Sequence, residues 1–170
     1  RWPNRTELPE ETARWSTDGF LFPRVPLRFD DWGIRSEWAS PLLIRFAADV
    51  ELPPGQRRVL LRTRGLAKLW IDGELIVETK PAQTSARDGE ELVTPLAEPP
   101  HPGVRAKSYH QQEVFGEINR DVYRTSRVVL ELIVGGKGQR TETGEVVLAL
   151  ENDEQDSFTI FQSGIALTDA

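Results

Sequence analysis

The chain reads as an all-β protein, an antiparallel β-sandwich of jelly-roll type, and three observations lead there. Apolar and polar residues alternate with a period of two through Leu42–Leu52 and through Val128–Val134, as strands with one buried face require. Short turn sequences separate the strand-like runs: Pro53-Pro54-Gly55, Arg64-Gly65 and Asp72-Gly73. Such turns imply antiparallel neighbours, since parallel strands need long crossovers. No stretch carries the 3.6-residue apolar period of an amphipathic helix, which leaves roughly eight or nine strands to build a two-layer core.

The bulk properties narrow the function classes. A chain of 170 residues suits one domain with a single core, residues 1–170. Its net charge of −6 argues against a general nucleic-acid or anionic-membrane binder, which needs a basic face. The absence of cysteine removes disulfides, thiolate nucleophiles and Cys-based metal sites together. No run of 18 apolar residues offers a membrane-spanning helix, so no membrane insertion is expected. The chain lacks methionine altogether and opens on Arg-Trp-Pro, so a piece of a longer or processed protein is expected.

In chain order, residues 1–19 are polar and broken by Pro3 and Pro9. Thr6 there can cap a short helical turn, and Asn4-Arg5-Thr6 matches an N-glycosylation acceptor. Phe20–Phe22 and Val25–Phe29 read as edge strands, because Pro23 and Pro26 cannot donate to a central ladder. Asp30-Asp31-Trp32-Gly33 forms a loop bearing an aromatic, and Trp38 sits in a second loop ending at Pro41. Leu42–Leu52 places Leu42, Ile44 and Phe46 on one face and Leu43, Arg45 and Ala47 on the other.

The segment Arg57–Thr79 is the organising stretch: strands Val59–Thr63, Leu66–Ile71 and Leu75–Thr79, with a hairpin at Asp72-Gly73. A two-residue turn there puts Trp70 opposite Leu75, whereas a bulge at Gly73 shifts that register. Residues 80–120 form a long irregular insertion, rich in proline and holding both histidines; Gln111–Glu117 is a short strand or a turn. Val128–Val134, Glu145–Leu150 and Phe158–Leu167 supply the last strands.

Each chemical motif has a bland counterpart. Gly135-Gly136-Lys137-Gly138 lacks the following Ser or Thr and the helix of a phosphate loop, so it is a hairpin loop. Asp30-Asp31 and Asp153-Glu154 with Asp156 fit solvated acidic turns better than any calcium-loop spacing. His101 and His110, without cysteines, make a poor zinc site. No Gly-x-Ser-x-Gly elbow occurs, and nothing singles out a carboxylate pair, so no catalytic residue is nominated. Five tryptophans are the positive signal, four of them in irregular segments. An indole face suits the C–H face of a pyranose, and it equally suits plugging the open end of a sandwich.

Phe46, the run Ala47–Gly55, Val59-Leu60-Leu61-Arg62 and Leu69-Trp70-Ile71-Asp72-Gly73-Glu74-Leu75 together resemble the core of PA14-like β-sandwich modules. The match covers residues 42–79. With His110–Phe115, the run Gly135–Leu150 and the closing Ala166–Ala170 added, the chain looks like the accessory sandwich of large exported planctomycete-type proteins that also carry cytochrome c-like domains. The resemblance implies export to the periplasm or cell surface, with carbohydrate or glycan binding in some members and structural support in others. Calcium-dependent members use two adjacent aspartates before the strand leading to the Leu-Trp-Ile-Asp-Gly motif. Thr63-Arg64-Gly65-Leu66 stands there with no acid, so no metal or other cofactor is expected.

The sequence reading is therefore a non-catalytic module that binds carbohydrate. Trp32, Trp38 and Trp70 are its stacking residues, and Asp30, Asp31 and Arg64 its hydroxyl partners. The alternative is a structural module that positions neighbouring domains through residues 80–120.

Overall fold

Alternation in the sequence becomes alternation of burial. Within Leu42–Leu52, Ile44, Val50 and Leu52 are buried while Arg45, Ala47, Asp49 and Glu51 face solvent. The structure, a computed structural model, describes residues 9–80, 111–136, 140–141, 144–153 and 157–163, with the backbone of 83–84 and 91–92.

The strands are β1 (Leu21–Phe22), β2 (Arg28–Phe29), β3 (Arg35–Ser36), β4 (Leu42–Leu52), β5 (Gly55–Arg64), β6 (Leu66–Ile71) and β7 (Glu74–Glu78). They continue with β8 (Gln83–Thr84), β9 (Glu91–Leu92), β10 (Gln112–Arg120), β11 (Arg124–Val134), β12 (Glu145–Glu151) and β13 (Phe158–Ile160). One sheet has the order β1-β12-β5-β10, with β13 also beside β12; the other has the order β4-β11-β6-β7. Pairing within both is antiparallel. The chain is thus an all-β sandwich, as the periodicity predicts. The pair β2–β3 stands as a small separate hairpin, as does β8–β9.

The core lies between the two sheets. Val59, Leu61, Val146, Leu148 and Leu150 from the first meet Leu69, Ile71, Val128, Leu130 and Leu132 from the second, all of them buried. Burial of such a side chain stabilises by about 1.5–3 kcal/mol. One flank closes where Gly116 of β10 lies against Ile76 and Val77 of β7. The opposite flank is plugged by rings: Phe22 stacks on Phe46 at 5.2 Å, and Phe20 contacts Phe46 at 6.1 Å and Phe161 at 6.3 Å.

One expectation is corrected. Consecutive strands are not all neighbours: β4 and β6 belong to the second sheet and β5 to the first, so of β4 to β7 only β6 and β7 form a hairpin. Glycine explains this. Gly55 (φ 105°) and Gly65 (φ 126°) take backbone angles that send the chain across to the opposite sheet. A Cβ at Gly65 would also stand 2.6 Å from the Ile133 carbonyl oxygen, so only glycine permits that crossing. In the hairpin, Ile71 pairs with Glu74 and Trp70 with Leu75, and the register shifts between Leu69 and Trp70, not at Gly73. Gln111–Glu117, open between strand and turn, falls largely within β10.

The β6–β7 turn is tied to the next strand by charge. Asp72, at φ 52°, accepts a hydrogen bond from the Arg127 amide at 2.9 Å and from the Arg124 guanidinium at 2.8 Å, with Arg120 at 3.4 Å. Burial works to raise its pKa. The Arg127 amide and the charges of Arg124 and Arg120 outweigh burial and hold it below the ordinary aspartate value. A carboxylate depressed in the folded state adds stability that is present above its unfolded pKa and lost as pH falls through the folded one. Thermal melts should therefore show a decline in stability below about pH 4, and Asp72→Asn should flatten that decline. An equally steep decline in the variant would assign the acid sensitivity elsewhere.

Candidate ligand-binding cleft

The six residues nominated from sequence occupy four separate places. Asp30, Asp31 and Trp32 sit at the tip of the β2–β3 hairpin. There the Asp30 carboxylate accepts the amides of Trp32 at 3.0 Å and Ile34 at 2.8 Å, and Gly33 (φ 74°) completes the turn. Asp30 is therefore engaged in shaping the turn that holds Trp32 out, with 89% of that residue exposed. Asp31 is exposed beside it.

Trp38 is half-buried against the core and held on two sides. Its indole Nε1 donates to the Pro26 carbonyl at 2.7 Å, and the Arg28 guanidinium lies 5.3 Å from the ring centroid. Trp70 is half-buried on the outer face of the second sheet, between Val129 and Leu75. Arg64 ends β5 on the outer face of the first sheet, opposite Glu145. Burial pushes the Glu145 carboxyl above its ordinary pKa, against the charges of Arg64 and Arg62. Trp70 and Arg64 therefore lie on opposite outer faces, and neither joins the hairpin.

A different grouping has the shape of a site. A cleft of about 640 Å³ lies between the segment Pro9–Thr17 and the free edge of β4 from Leu42 to Ala48, with Trp38 and Ser163 also in its lining. Trp15 and Trp38 meet within it at 6.1 Å, their planes 45° apart, and form an aromatic wall. Thr12, Ser16 and Thr17 supply hydroxyls, and Glu10 and Glu11 carboxylates. Arg14 grips Glu11 through two hydrogen bonds of 2.9 and 2.8 Å, which lowers the glutamate pKa and raises that of the arginine. Across the cleft, Arg127 pairs with Asp49 at 3.1 Å and Arg45 with Glu131 at 3.7 Å.

Trp15 is the functional candidate the sequence reading leaves out. Its segment has no periodicity, and only the approach to Trp38 gives it a place. The Trp38 loop itself was the usable signal. Among the described residues no group of three or more His, Cys, Asp or Glu could hold a metal ion. Asp153 of the acidic turn pairs with Arg57 at 2.5 Å. His101, His110, Glu154, Asp156, the glycosylation acceptor and Lys137 lie outside the described residues. No helix among the described residues is long and apolar enough to cross a membrane.

No protein-family model matches the chain, and neither a curated protein nor a solved structure is significantly similar to it.

Proposed function

We propose that the chain is a non-catalytic carbohydrate-binding module, an accessory domain of a larger exported protein, and that its sugar site is the cleft beside β4. The observation that carries this reading is the Trp15–Trp38 wall facing a rim of hydroxyls and carboxylates. Sugars are recognised by this combination: a flat apolar surface for the C–H face and paired donors and acceptors for the hydroxyls. The Pro26 and Arg28 contacts fix Trp38 before any ligand arrives, which reduces the ordering that binding must impose.

A glycan array probed with and without calcium should give calcium-independent binding. Trp15→Ala should weaken that binding at least ~10-fold, about 1.4 kcal/mol, with the fold intact because Trp15 lies outside the core. Trp32→Ala should leave it unchanged. A blank array with unaltered tryptophan fluorescence would overturn this reading. It would favour a second one, a docking module for neighbouring domains. The observation behind that alternative is the hairpin itself, where Leu27, Phe29, Trp32 and Ile34 are all exposed on one short projection.

A further inference from the structure

The free edge of β4 points to a second copy of this chain: we propose that two copies pair β4 to β4, antiparallel about a two-fold axis, extending the second sheet across the junction. β4 is the outermost strand of its sheet, and all eleven of its residues pair with β11 on one side without a bulge. The other edge therefore presents a row of main-chain groups to which no described strand is bonded. The remaining edges differ. β7 and β10 close against each other at Gly116, and β1 and β13 are two and three residues long.

Natural proteins blunt long edges with proline, bulges, charges or a covering loop. β4 has no internal proline, bulge or inward-pointing charge; its charges point outward, and the segment Pro9–Thr17 lies beside its edge. Its inward positions are Leu42, Ile44, Phe46, Ala48, Val50 and Leu52, all apolar, and Pro41 and Pro53 stand only at its ends.

The sequence of β4 is complementary to itself read backwards. The one antiparallel register that matches all eleven residues is centred on Ala47. It sets Arg45 of each copy opposite Asp49 of the other. On the inward face it sets Phe46 opposite Ala48 and Ile44 opposite Val50, so the large ring meets the smallest side chain. Directly opposed residues are the unit of sheet stabilisation, and opposite charges there are favourable while like charges are not. A two-fold axis makes every such pair occur twice, as an isologous interface requires. Because Asp49 already holds Arg127 and Arg45 reaches Glu131, these four charges alternate in sign across the junction, while Glu51 stands opposite Leu43.

The segment Pro9–Thr17 lies across the cleft from Leu42–Ala48 and makes no main-chain hydrogen bond to another described residue. The inference stands apart from the carbohydrate reading, and a glycan in the cleft would compete with strand pairing for the same edge.

Sedimentation equilibrium of the full chain, without glycan, should show a concentration-dependent dimer. R45D and D49R each place like charges opposite one another and should raise the dimer Kd at least ~10-fold. The double variant R45D/D49R reverses both partners and should return Kd to within about threefold of the parent. Circular dichroism melts on each variant confirm that the protomer folds. A parent that stays monomeric at all concentrations would overturn the proposal. So would a dimer indifferent to either charge reversal, or a double variant no better than the singles.

Discussion

Gly116→Val should cost the fold about 3 kcal/mol or more, seen as a large shift in the urea midpoint or as failure to accumulate folded protein. Gly116 faces inward on β10 where the two sheets meet at their closed flank. A Cβ there would lie 2.8 Å from Ile76 Cγ2, 2.9 Å from the Ile76 carbonyl oxygen and 3.1 Å from Val77 Cβ. The first contact is with a side chain that can rotate; the other two involve main chain or a Cβ, which move only if β7 moves. Adding Ile76→Ala to Gly116→Val should therefore recover part of the loss and not all of it. Full recovery would mean that the backbone approach is not what limits this position.

Arg62→Met should be nearly as damaging, by about 3–5 kcal/mol, through a different mechanism. Glu113 on β10 opposes Arg62 on β5, and its side chain has no solvent exposure. Arg62 meets one carboxylate oxygen through Nε at 2.7 Å and Nη2 at 2.5 Å, while the other oxygen, Oε1, is buried without a hydrogen-bond partner. Removing the guanidinium strands a desolvated carboxylate. Replacing the pair by apolar residues removes the charge along with its partner, so R62M/E113L should regain more than half of the loss in a double-mutant cycle. Simple additivity of the two losses would show that Glu113 does not depend on Arg62.

The strands were legible to the extent that burial imposes a period. β4 runs over the residues its alternation marked, and β11 contains the alternating run Val128–Val134, with Val128, Leu130 and Leu132 buried. Periodicity reports which face is buried but carries no information on which sheet a strand enters, and so the crossings at Gly55 and Gly65 have the sequence signature of turns between neighbouring strands. β10 was hard to see because two of its inward positions are Gln112 and Gly116, which contribute no apolar signal.

The site was less legible for a related reason. Trp32, Trp38 and Trp70 share a residue type but not a place; hydrogen bonds and strand order send them to a hairpin tip, a core margin and a sheet face. The pairing of Trp15 with Trp38 is a tertiary fact that spacing does not encode.

The strand order also constrains how the chain can be made. Emerging from a ribosome, residues 42–78 contain β4, β5, β6 and β7 but leave a vacancy one strand wide between β4 and β6, because β11 belongs there. β5 likewise waits for β10 on one side and β12 on the other. Among these four strands the one ladder that can close by itself is the β6–β7 hairpin, a unit too small to hold together alone in water. The nascent N-terminal half therefore presents unfilled slots and apolar strand faces until residues 112–134 arrive and enter both sheets in succession. Translation speed through the segment between the two halves sets how long those slots stay open.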